Sequence, residues 1–117
     1  MMNIEEFREY CIAKKAVSED MPFGEDVVAF RVLGKIFALV NINEKPLKVN
    51  LKCEPFWSEK LREEYEEIVP GYHMNKKHWN TVIFDGSLPE GLEREMIAES
   101  YRLVVAGLPK GLRPVSS

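Results

Sequence analysis

Three β-rich runs, Val27 to Leu33, Ile36 to Ile42 and Leu47 to Lys52, constrain this chain more than any other feature. The first two meet at Gly34-Lys35, which reads as a hairpin turn, and Asn43 to Pro46 turns the chain between the second and third. Both faces of Ile36 to Val40 are apolar, as expected for a central strand. Leu47 to Lys52 alternates strictly: Leu47, Val49 and Leu51 fall on one face, and Lys48, Asn50 and Lys52 on the other. The second face of such a strand is left for water or a polar partner.

Helical spacing surrounds this block. Asn3 to Val17 reads as a helix near 3–16, capped by Asn3 with Glu6 three residues on. Ile4, Phe7, Cys11 and Ala13 form its inner stripe, with Glu5, Arg8, Glu9 and Lys14 outward. Ser18 to Asp26 is expected to be a loop. A second helix near 55–67 begins at Pro55 and carries Trp57, Leu61, Tyr65 and Ile68 inward against an outer face of Glu59, Glu63, Glu66 and Glu67. Pro70-Gly71 ends it. Trp79 to Phe84 reads as a strand that stops at Asp85-Gly86. A third helix near 88–106 begins with a Ser87/Glu90 capping box and ends at Gly107, before Pro109 and a frayed tail from Arg113. The order α-β-β-β-α-loop-β-α implies a two-layer α+β sandwich with a largely antiparallel sheet and flanking helices, one domain over residues 1–117.

Charge is unevenly placed. The 117 residues carry a net charge of −3, against a broad sequence-independent DNA coat. Residues 1–70 hold 10 Lys/Arg and 14 Asp/Glu, whereas 71–117 hold 6 and 5, and no acid lies between Glu67 and Asp85. Inside that window sits Gly71 to Trp79, "GYHMNKKHW", with both histidines of the chain. Lys76 and Lys77 supply charge; Tyr72, His73, His78 and Trp79 supply π-faces; Asn75 can donate and accept. Basic residues interleaved with aromatics suit a phosphate backbone with exposed bases. The alternative is a structural loop in which Tyr72 and Trp79 pack and the lysines are solvated, or one that serves a small ligand or a protein partner. Lys48 and Lys52 widen the patch if their strand face lies beside it.

Other chemistries are weakly supported. His73 and His78 are five apart, a spacing that separates them on a helix or a strand, and no Cys or Asp is near, so no metal and no cofactor is expected. Cys11 and Cys53 sit in apolar patterns as buried thiols. No phosphate loop and no nucleophile elbow appear, so no enzyme is expected. No signal-peptide layout and no membrane-length apolar run is present, pointing to the cytoplasm.

"PFGEDVVAFRVLGKIFAL", "PLKVNLKCEP", "PGYHMNKKHWNTV" and "DGSLPEGL" follow one another as in the MmcQ/YjbR family of small bacterial proteins, which the chain resembles over about residues 3–113. The resemblance implies a CyaY-like (frataxin-like) fold with a double-wing DNA-binding motif. By position it assigns Tyr72, His73, Asn75, Lys76, Lys77, His78 and Trp79 to the family signature and Lys52 to the "NLKC" block. Frataxin relatives bind iron through acidic ridges; here Glu5, Glu6 and Glu9 are interrupted by Arg8, which does not support iron handling. DNA is the partner the resemblance implies; from their positions, Trp79 opening a β-run and Lys76 and Lys77 in the preceding turn, Trp79 and Tyr72 are expected mainly to pack and Lys76 and Lys77 mainly to contact the ligand.

Overall fold

A computed structural model describes residues 2–71 and 74–114. Helix α1 spans Ile4–Ile12, followed by strands β1 (Val17–Asp20), β2 (Val27–Val32), β3 (Lys35–Asn41) and β4 (Leu47–Lys52). Then come α2 (Pro55–Glu64), β5 (Ile68–Pro70), β6 (Trp79–Phe84) and α3 (Leu92–Ala106). The six strands form one antiparallel sheet in the order β1-β2-β3-β4-β6-β5.

All three helices cover one face. Phe7 of α1 meets Phe30 and Phe84 edge-on, and Tyr101 of α3 meets Phe37 in the same way. Ser58 of α2 bonds the side chain of Asn80 on β6. The buried set of the sheet, including Phe30, Val40, Val49, Leu51, Val82 and Phe84, packs against these helices. The opposite face carries no helix among the described residues. This is the two-layer α+β sandwich read from the sequence, and β3 and β4 are its central strands.

The capping box of Asn3 and Glu6 forms as expected. So does the proline start of α2, where the Glu54 carboxylate accepts from the N–H groups of Phe56 and Trp57. Four boundaries differ. First, α1 stops at Ile12, because the chain turns through Ala16 (φ 61°) into strand β1 where a loop is expected from the sequence. Only Val17 and Glu19 of β1 face inward, and Glu19 is held by the Arg8 guanidinium rather than by apolar contact, so no alternating apolar pattern marked it. Lys14, expected outward, lies over the rings of Tyr10 and Tyr101, 4.6 and 5.4 Å from their centroids, and partial burial lowers its pKa; Ala13 is exposed.

Second, α2 ends at Glu64, and Ile68–Pro70 is a short edge strand whose Ile68 reaches the core from the sheet. Proline is tolerated at such an edge. Glu66 and Glu67 therefore lie outside the helix, and the Glu67 carbonyl accepts from the Ile83 N–H. Third, the Ser87/Glu90 box does not form. Ser87 bonds Asp85 instead, and Gly91 (φ 86°) turns the chain so that α3 starts at Leu92. Fourth, the β2–β3 turn is Leu33-Gly34, both with positive φ, as a two-residue type I′ hairpin requires; Lys35 is already in β3. The tail is tied further than expected: Arg113 donates to the carbonyls of Ala106 and Leu108, while residues 115–117 lie outside the described residues. No helix among the described residues is long and apolar enough to cross a membrane.

Both cysteines are buried, and loss of hydration pushes each thiol up to about 12 from an ordinary value of 9.0. Above pH 9 the unfolded chain releases these protons while the folded chain keeps them. Their contribution to stability is therefore complete below pH 9 and lost as pH rises toward 12. Denaturant melts at stepped pH should show stability falling across that window, with a shallower fall for a Cys11→Ala, Cys53→Ala protein. Both thiols should resist alkylation at neutral pH until the chain is unfolded.

Candidate nucleic-acid interface

The segment before β6 is held by a buried polar cluster. Strand alternation turns Asn80 toward the helices, where it is 2% exposed. Its side-chain oxygen accepts from Ser58 Oγ at 2.9 Å and from Arg62 Nε at 2.7 Å. Ser58 and Arg62 are one helical turn apart on α2, so one face of the helix presents both donors. Arg62 Nη2 then donates to the carbonyls of Lys76 and Trp79. One guanidinium thus joins the helix layer, the start of β6 and the turn that precedes it.

Local bonds shape the turn itself. The Asn75 carbonyl accepts from the N–H groups of His78 and Trp79, and its side-chain oxygen accepts from the Lys77 N–H at 3.0 Å. The His78 carbonyl accepts from Cys53 N–H at 2.7 Å, and Gly71 N–H donates to the Trp79 carbonyl at 2.8 Å. A Cβ at Gly71 would lie 3.0 Å from both Trp79 Cβ and Trp79 O, so only glycine fits there without displacement. The bonds through Lys76 and Lys77 run through backbone atoms, and both side chains are exposed.

The β4–β6 register brings the predicted residues together. Lys52 pairs with Trp79, Asn50 with Thr81 and Lys48 with Ile83, all on the helix-free face. Asn50 and Thr81 are bonded across the strands. Trp79 is half-buried, as is His78; Lys52 is half-buried and Lys48 exposed. None of the ion pairs among the described residues includes Lys48, Lys52, Lys76 or Lys77. Lys48, Asn50, Thr81 and Ile83 of these rows line a groove of about 860 Å³ whose remaining walls are mainly apolar, with Leu39 and Val69 among them, and which also includes Glu44. Phe23, 64% exposed, stands at its margin.

Among the sequence-predicted residues, Lys52, Lys76, Lys77, His78 and Trp79 fall in one region. Asn75 is there as well, with its side-chain oxygen engaged in shaping the turn. Tyr72 and His73 lie outside the described residues. Among the described residues no cluster of three or more His, Cys, Asp or Glu could hold a metal ion. Sequence reasoning missed Asn80, Ser58 and Arg62. The signal was available in part: Asn80 is a polar residue at a position where strand alternation from Val82 and Phe84 requires the core.

An open-faced, two-layer α+β protein with a fixed basic turn at one end of its sheet is the class defined here. The chain belongs to the YjbR family, whose profile matches residues 12–103. It is 34% identical over 112 residues to "Uncharacterized protein YjbR" of Escherichia coli K12, covering 96% of this chain and 95% of that protein. It is 43% identical to "Uncharacterized protein YbdF" of Escherichia coli O157:H7 over 76% of this chain and 73% of that one. Among solved structures, Deinococcus radiodurans protein DR2400, of domain family DUF419, superposes with a TM-score of 0.91 at 38% identity, covering 97% of this chain and 86% of that one. A Pseudomonas syringae protein superposes with a TM-score of 0.74 at 30% identity over 87% and 98%.

Arg62→Ala should remove three bonds at once and leave the buried Asn80 oxygen with Ser58 alone. Loss of charge-assisted bonds of this kind costs about 2–3 kcal/mol. Gly71→Ala should cost about 1–3 kcal/mol through crowding against Trp79. Trp79→Ala, at a half-buried site, should cost less than the roughly 3–5 kcal/mol of a fully buried tryptophan. Urea melts of the three variants check this order, and a neutral Arg62→Ala would show that the cluster does not hold the turn.

Proposed function

We propose that the protein is a non-catalytic, cytoplasmic nucleic-acid-binding module whose contact surface is the helix-free face around Lys52 and the Asn75–Trp79 turn. The observation that carries this is the segregation of charge between the two layers. The three helices hold nine Asp/Glu against five Lys/Arg, a net of −4. Lys48 and Lys52 lie on the other face, Lys52 in register with a half-buried tryptophan, and Lys76 and Lys77 are exposed in the turn that leads into it. The rest of the chain holds eleven Lys/Arg and ten Asp/Glu, Glu44 of the groove among them, so a polyanion is repelled by the helices and drawn to the lysines rather than to the sheet layer as a whole. The double-wing, CyaY-like arrangement implied by the family resemblance is part of this proposal, with DNA as the partner.

The groove beside the lysines favours a second reading, a small-ligand or protein-interaction module in which the turn is mainly structural. Its apolar lining gives a partner other than phosphate something to bury against.

Lys76 and Lys77 separate the two. Replacing both by Ala leaves the turn's backbone bonds in place and should change stability by no more than about 0.5 kcal/mol. The same change should weaken nucleic-acid binding and flatten its dependence on log salt by up to about two units. Binding to labelled DNA at two salt concentrations measures both. An unchanged affinity and slope in the double variant would give the site to the ligand or protein reading.

A further inference from the structure

We propose that the helix-free face takes single-stranded rather than duplex nucleic acid, with bases lying over Trp79, Thr81 and Ile83 and the groove, and the backbone running along Lys52 and Lys48. This rests on the nucleic-acid reading above and specifies its substrate.

The first reason is what the face presents. Two parallel rows run down it, Trp79-Thr81-Ile83 on β6 and Lys52-Asn50-Lys48 on β4, in direct register. The rows pair an aromatic and apolar track with a cationic one. Lys48 and Lys52, four residues apart on one strand, lie about 13 Å apart along it. Lys76 and Lys77 are exposed in the turn just before the Trp79 end. An unpaired strand has the same two-sided chemistry: flat, weakly polar bases on one edge and phosphates on the other.

The second reason is what the face lacks. Reading a duplex in its major groove takes a helix or a two-stranded ribbon that enters the groove, and β4 and β6, which carry the lysine and tryptophan rows, each have a neighbouring strand on both sides and form no free ribbon. The helices turn their apolar sides to the sheet, and their outward sides carry acids such as Glu5, Glu59, Glu63 and Glu95. Duplex phosphates resting on the open sheet would engage the lysines but leave the groove uncovered. Its margins include Phe23 and Val69, 64% and 40% exposed. Bases freed from a duplex can cover that apolar surface; stacked and paired ones cannot reach it.

The test compares a fluorescein-labelled 12-nucleotide oligothymidylate with a 12-base-pair duplex, by anisotropy at two salt concentrations. The wild-type protein should bind the single strand at least about tenfold more tightly. Its salt slope should be shallow, no steeper than about −3, because four lysines contribute roughly 0.7 each on a single strand. Phe23→Ala combined with the charge-neutral Val69→Thr alters only exposed positions and should lower single-strand affinity about tenfold while leaving duplex binding unchanged. In a Trp57→Phe background the oligothymidylate, but not the duplex, should quench Trp79 emission. Equal or tighter duplex binding, or single-strand binding indifferent to the Phe23/Val69 variant, would overturn the inference. The nucleic-acid reading survives that result if Lys76→Ala, Lys77→Ala still weakens the complex. Failure of both probes to bind would overturn both.

Discussion

The rest of the site depends on the side-chain oxygen of Asn80. A buried amide oxygen is costly unless it is bonded, and here it is bonded twice, by Ser58 and Arg62 of one helix. Because Arg62 has further donors, satisfying Asn80 also places a guanidinium against the carbonyls of Lys76 and Trp79. The cluster therefore does two things. It fixes the position of α2 over the β5–β6 edge, and it fixes the backbone of a turn whose two lysine side chains remain free to project. A hydrogen-bonded backbone under exposed ammonium groups suits phosphate contact, because a turn already held in shape loses less entropy on binding.

The second structural determinant is the one-sided use of the sheet. Helices α1, α2 and α3 saturate one face, and the alternation of β4 and β6 then decides what the other face shows. Leu47, Val49 and Leu51 face the helices, so Lys48, Asn50 and Lys52 cannot; Asn80, Val82 and Phe84 face the helices, so Trp79, Thr81 and Ile83 cannot. A shift of one residue in either strand would exchange these sets. The basic and aromatic rows are a consequence of the core pattern rather than a feature added to it.

Much of this was legible in the sequence. The strict alternation of Leu47 to Lys52 gave β4 its bounds, and the Asp85-Gly86 turn closed Trp79 to Phe84 as β6. The Asn3 box and the Pro55 start were readable because capping chemistry is local. The edges were not. β1 is held by the Arg8–Glu19 pair, and β5 is three residues long, so neither carries a period. Ile68 fits the helical stripe of α2 as well as it fits a strand, and only the sheet decides. Ser87 and Glu90 have the right spacing for a capping box, yet Gly91 adopts a left-handed conformation that no spacing rule registers. For the site, the acid-free window from Ile68 to Phe84 located the basic turn, and the register of β4 on β6 supplied the neighbours, Lys52 and Lys48, that the sequence offered only conditionally. The cluster that holds the turn was hidden because Arg62 resembles any solvated helix cation until Asn80 is seen beneath it.

A helix-free face that is the working surface of the protein must be the first part of the molecule to sense a ligand. Backbone amide shifts in an isotope-labelled sample, followed by NMR as single-stranded DNA is added, test it most directly. Shifts should concentrate in β4, β6 and residues 74–79, with the outward sides of α1, α2 and α3 unmoved. Shifts centred on the helices, or none anywhere at concentrations well above those used for binding, would contradict it.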